Sequence, residues 1–238
     1  MIFAILIVSS FLASFISGAT GFGGALLLMP VATACVGAEV AVPVLTIAQL
    51  IGNASRMAFG IKQIAWKQVL LFCLTSLPLA ALGAFGFSVL PKDIVTRCIG
   101  AALVAFVLIK QIWKKELKAG TRTILIGGAV TGLISGLAGS GGPIGAAVFL
   151  SLGLPPVAYI ASEAATATAM HALKIVIYSK LVDVNLNVLW TGLAMGAAMI
   201  GGTFAANRLI KAMEKAKFQR YVAVLLGIVG IYMLIAGE

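Results

Sequence analysis

Residues 17–24 read SGATGFGG and residues 135–142 read SGLAGSGG. Ser17, Gly18, Gly21, Gly23 and Gly24 return as Ser135, Gly136, Gly139, Gly141 and Gly142, each 118 positions later. The same offset pairs Asn53 with His171, Arg56 with Lys174, Lys62 with Lys180 and Gly83 with Gly201 without a gap, and past a longer basic stretch Arg97 matches Arg220. One unit is duplicated, so whatever shape one half takes must suit the other. The halves are residues 1–112 and 123–238, joined by a basic connection, 113–122, and nothing resembles a linker between separable domains.

Each half holds five apolar stretches: 2–17, 24–37, 39–61, 68–88 and 94–112, then 123–138, 142–154, 157–179, 186–206 and 218–236. With 61% hydrophobic and only 10% charged residues, against roughly 25% charged in soluble domains, the chain cannot hide its apolar surface in a soluble fold. The stretches are continuous rather than alternating, which argues against a transmembrane barrel. They predict an all-α polytopic membrane protein of about ten segments. The last three stretches of each half are long enough to cross a hydrocarbon layer of about 30 Å, whereas the first two are not comfortably long. The second, at about 21 Å, predicts a discontinuous or re-entrant half-helix that starts at the glycine turn inside the membrane. The first stretch lacks the basic flank and cleavage site of a secretory signal, and its counterpart at 123–138 is internal, so it is expected to belong to the fold.

The net charge of +10 is a topology signal. No basic patch with interleaved aromatics accompanies it, which argues against a nucleic-acid partner. Arg56, Lys62 and Lys67 make the connection after the third stretch basic, but its counterpart around Lys180 and Asp183 is neutral. After the fourth stretch the pattern reverses: Lys92 and Asp93 balance, while Arg208, Lys211, Lys215, Lys217 and Arg220 face Glu214 alone. With basic connections inside, equivalent loops fall on opposite faces. The expectation is an inverted-topology 5+5 repeat with the central linker cytoplasmic and both termini outside. Cys35, Cys73 and Cys98 lie in or beside apolar runs without CxxC spacing and read as core packing.

A non-helical turn at membrane depth is costly unless it lines a cavity or is buried in protein. Glycine lets consecutive amides converge on one ligand. Each turn also opens a helix, at Gly24 and at Gly142 with Pro143, and two facing N-termini offset about one anionic charge. Close packing of small residues is the competing reading. The third stretches supply polar stripes, Gln49, Asn53 and Arg56 in one half and Glu163, His171 and Lys174 in the other. Arg56 and Lys174 either line the interior or snorkel to the headgroups. Glu163, with Leu45 as its counterpart, either pairs with Lys174 or His171, receives a coupling proton, or lies shallow enough to be wetted. His171, the one histidine, either joins in proton coupling or makes a structural hydrogen bond. No cofactor or metal is called for.

The paired glycine motifs, the polar third stretch ending at Lys62 and Trp66, the Pro78 to Gly86 stretch and Tyr178 before Lys180 and Asp183 together resemble the sulfite exporter TauE/SafE family, also called toluene sulfonate uptake permeases. The resemblance covers essentially the whole chain. It implies a multi-pass permease of a prokaryotic inner membrane that moves sulfite, sulfoacetate or related sulfonates, with the bilayer as its other partner and the oligomeric state, homo-oligomer included, left open. The anion is expected near the midplane between Thr20, Gly21, Phe22, Gly23 and Gly24 on one side and Gly139, Ser140, Gly141 and Gly142 on the other. The Thr20 and Ser140 hydroxyls act there as donors, Asn53, His171, Arg56 and Lys174 line the paths, and opposite tilting of the halves gives alternating access. Two rival readings are an intramembrane serine hydrolase using Ser140 and His171, and a non-transporting scaffold subunit.

Overall fold

The computed structural model describes residues 1–22, 24–85, 104, 108, 120–138, 141–178 and 185–236. Among them the long helices are α1 (Ile2–Thr20), α2 (Gly24–Val36), α3 (Ala38–Phe59), α4 (Trp66–Phe85), α5 (Thr121–Ala138), α6 (Gly142–Ser151), α7 (Pro156–Tyr178), α8 (Leu186–Lys211) and α9 (Lys215–Ala236). A 3-10 turn, Ile61–Gln63, joins α3 towards α4. Apart from Val104 and Leu108, the stretch 94–112 lies outside the described residues, as do most of the linker 113–122 and the connections holding Lys92, Asp93, Lys180 and Asp183.

Local chemistry explains where helices stop. α1 ends on Gly21, whose φ of 85° is a left-handed cap and whose N–H donates to the Ser17 carbonyl at 2.7 Å. α2 restarts at Gly24. In the second half α5 ends at Ala138, and α6 restarts at Gly142 with Pro143 in its first turn, where a missing N–H costs nothing. Both restarts fall on the residues that the glycine motifs single out. α7 opens on Pro156, and the Asn185 side chain caps α8 by accepting from Val188 N–H at 3.0 Å.

Two boundary expectations need correction. α1 has 19 residues, because Gly18, Ala19 and Thr20 stay helical, and at about 29 Å it is long and apolar enough to cross a membrane. α8 runs 26 residues, past 206 to Lys211, so Arg208 and Lys211 ride on its last turn beside the carbonyl end of the helix dipole. α9 begins at Lys215, which leaves residues 212–214 as the connection. By length and composition α1, Trp66–Ala84 of α4 and α8 suffice as spans among the described residues. α3 and α7 have 22 and 23 residues, but their polar stripes lower their hydropathy. α2 and α6, with 13 and 10 residues, reach only about 20 and 15 Å.

Helices from the two halves interleave. α4 lies along α5 and, at the equivalent place, α1 lies along α8. α3 packs on both α7 and α8, and α7 also packs on α4. Small residues permit these crossings: a Cβ on Gly18 would stand 2.8 Å from Ala206 Cβ, and one on Gly136 would stand 2.6 Å from the Ala84 amide nitrogen. Leu70, Leu74 and Leu82 of α4 and Trp190 and Ile200 of α8 stay exposed, as lipid-facing side chains do.

Candidate functional site

The polar stripes of α3 and α7 face each other across a cavity of about 40 Å³, room for on the order of three water molecules. Gln49, Asn53 and Arg56 come from α3, and Glu163, Thr166 and His171 from α7. The starts of both short helices close the remaining walls, with Phe22, Gly24 and Ala25 on one side and Gly141, Gly142 and Gly145 on the other; α5 adds Thr131 and Ser135. The two glycine turns therefore meet at one space, where a Cβ on Gly142 would lie 4.0 Å from Phe22 Cβ. Four buried atoms on this wall, Gln49 Nε2, Thr131 Oγ1, Glu163 Oε2 and His171 Nδ1, have no hydrogen-bond partner among the described residues. A buried polar atom left unsatisfied costs about 1–3 kcal/mol, so this wall has hydrogen-bonding capacity to spare for an occupant, the Gln49 amide as a donor among it.

The cations do not snorkel. Arg56 is 6% and Lys174 1% exposed. Arg56 Nη1 donates to the Ser17 carbonyl at 2.9 Å, and Lys174 Nζ donates to Ser135 Oγ at 3.2 Å. Ser17 and Ser135 are themselves a repeat pair, so each cation reaches the last turn of its own half's first helix. There the Ser17 carbonyl in one half and the Ser135 hydroxyl in the other accept it beside the negative end of the helix dipole, which explains part of both side chains' burial without any ligand. Arg56 Nη2 also bonds Asn53 Oδ1 and stands 3.8 Å from Glu163 Oε2. Glu163 is thus buried and paired across the halves with Arg56, correcting the expected pairing with Lys174 or His171.

The glycines divide by role. Gly24, Gly141 and Gly142 line the cavity, whereas Gly18 and Gly136 sit in helix crossings. Gly21 takes its positive φ beneath Tyr159, whose Oη lies 3.0 Å from where a Cβ would stand. Thr20 is not on the cavity wall; its hydroxyl donates to the Phe22 carbonyl at 2.8 Å and closes the turn. Gly23, Gly139 and Ser140 lie outside the described residues. In α6 the Ile144 and Gly145 amides both donate to the Gly141 carbonyl, at 3.1 and 3.2 Å, and Pro143 has no N–H. This end therefore offers fewer amides than an ordinary helix start.

Two smaller cavities flank the first. One of about 20 Å³ is lined by Arg56, Gly60, Val157 and Ile160; the other, of about 10 Å³, by Val42, Gln49, His171 and Lys174. Arg56 with Ile160 and Lys174 with Val42 correspond at the 118-residue offset, so the flanking cavities occupy equivalent places in the duplicated unit. From Val42 to Gly60 the three cavities follow α3 for about 27 Å. Beyond Val157 and Ile210, which line both spaces, lies an open groove of about 490 Å³ bordered by Gln63, Lys211 and Met213.

Thr131, Thr166 and Tyr159 were not flagged by motif reading. Their repeat counterparts are Ala13, Ala48 and Ala41, and a polar residue opposite an alanine is the signal that finds them, as it found Glu163 opposite Leu45. In comparison with known families, the model of the sulfite exporter TauE/SafE family matches residues 6–233. Searches of curated proteins and of solved structures gave no match.

Proposed function

Because the chain belongs to the sulfite exporter TauE/SafE family, whose members are membrane transporters and not enzymes, we propose that it binds a small sulfur oxyanion or sulfonate in the cavity between the two glycine turns and releases it by alternating access. The observation that carries this reading is the convergence of both short-helix starts with Asn53, Arg56 and His171 on one buried space. The helix starts contribute partial positive charge, Arg56 contributes a full one, and the unpartnered Gln49 amide contributes a donor. Lys174 guards the flanking cavity at the far end. Gly23, Gly139 and Ser140 keep the roles that their motif positions suggest, and Thr20 acts through the turn that it closes.

The inverted topology is part of the proposal. Within one half, the end of α3 and the end of α4 lie on opposite faces, so parallel halves would put Gln63 and Lys211 on opposite faces as well. Their presence in one groove supports antiparallel halves. The basic end, with Lys62, Lys211 and the linker, is then cytoplasmic in an inner membrane, with both termini outside. The groove leads from that face towards Arg56, the closed side lies at Lys174, and tilting of the halves exchanges them.

Gly142→Ala tests the site. Its new methyl meets only Phe22 Cβ at 4.0 Å, so the fold tolerates it while the cavity shrinks. Sulfite or sulfonate uptake into vesicles holding the purified chain should fall at least tenfold, with the melting temperature kept. Unchanged uptake would refute the glycine-turn site, and vesicles inert with the unaltered chain would favour a scaffold subunit.

A further inference from the structure

Arg56 is held by a carboxylate before any substrate arrives. Glu163 Oε2 stands 3.8 Å from Arg56 Nη2, beyond hydrogen-bond length, and has no other polar partner among the described residues. Both groups line the cavity that the proposed anion enters. The carboxylate therefore occupies the place of an anionic ligand at the guanidinium, in a pair that bridges the two halves.

Resting on the transport reading above, we propose that the substrate anion displaces Glu163 from Arg56 and that Glu163 takes up a proton as it leaves, so that one proton travels with each anion. Among the described residues of the cavity wall, Arg56 is the one lysine or arginine and His171 the other titratable group beside Glu163. α3 presents only Arg56 to it as a charged group, with Gln49 and Asn53 neutral. On α7 itself, Tyr159 lies one turn before Glu163, and His171 and Lys174 lie eight and eleven residues beyond, about 12 and 16 Å along the axis. α5 and α6 contribute Thr131, Ser135 and glycines to the wall, and among the described residues no titratable side chain of α4 or α8 lines it. Two anions on one buried guanidinium repel, and protonation of the carboxylate removes the conflict. The step balances: the carboxylate gains H⁺ from water on the open side, the anion gains the hydrogen bonds of Arg56, and on the other side the acid returns its proton as it pairs with Arg56 again. For a monoanion the cycle is electrically neutral.

The test uses vesicles containing the purified full chain and a pH-sensitive dye, with inward gradients of methanesulfonate or sulfate, whose charges stay fixed over the working pH range. Protons should enter with the anion in a one-to-one ratio, and the initial rate should rise as the pH is lowered. In Glu163→Gln the proton signal should vanish and the rate should lose its pH dependence. Proton entry that persists in this variant overturns the proposal. If the variant does not fold, the ratio in the unaltered chain decides, because anion flux without protons overturns the coupling by itself. Should sulfite alone enter, the ratio is taken on sulfite after subtracting the proton that it carries. If none of the three anions enters, the transport reading fails and the coupling fails with it.

Discussion

Arg56 joins three elements: the end of α1 through the Ser17 carbonyl, its own helix through Asn53, and α7 through Glu163. Arg56→Met removes these contacts and strands the buried carboxylate, and breaking one side of a buried ion pair costs about 3–5 kcal/mol. The double change Arg56→Met with Glu163→Gln should recover more than half of that loss, as read from thermal unfolding in detergent; equal losses in single and double variants would deny the pairing. The stripe of Gln49, Asn53 and Arg56 was legible because α-helical spacing puts those side chains on one face. The partner of Glu163 was not, since nothing in a one-dimensional spacing tells which helix of the other half packs opposite it. Thr20 shows the converse error: a hydroxyl beside a proposed site reads as a donor until the turn's own carbonyl claims it.

At the scale of elements, three of the four helix ends beside the glycine motifs, at Gly24, Ala138 and Gly142, were readable to the residue, because glycine and proline act locally, while α1 runs three residues past its expected end to Thr20. Lengths were less so: α8 continues five residues past its expected end, through a segment whose alanines and long cations favour helix. Crossings were visible only as an abundance of glycine, without partners. A Cβ on Gly132 would stand 2.6 Å from Ser76 Cα, backbone that cannot move aside. Gly132→Leu should therefore separate α4 from α5 and cost at least about 3 kcal/mol, more than ordinary overpacking. Gly145→Ala, whose Cβ would meet Thr131 Cγ2 at an ordinary 3.4 Å, is the control, and its melting temperature should hold or rise.

At the scale of the whole molecule, the 118-residue offset reveals two like units, and loop charge predicts how they face. The interleaving of α1 with α8 and α4 with α5 was illegible, because an offset carries no distance. Cysteines placed at Gln63 and at Ala212 should be labelled by an impermeant maleimide from one and the same side, and a cysteine at Lys180 from the other; Lys180 labelled together with Gln63 would end the inverted arrangement. The repeat has also diverged, with arginine held by a carboxylate in one flanking cavity and lysine bonded to a serine in the other. Under the alternating access proposed above, an incoming solute meets unlike barriers from the two faces. Gradients alone would decide the direction of net flux, but forward and reverse turnover on that reading differ in rate, which is the behaviour of a rectifier, quick in one sense and sluggish in the other.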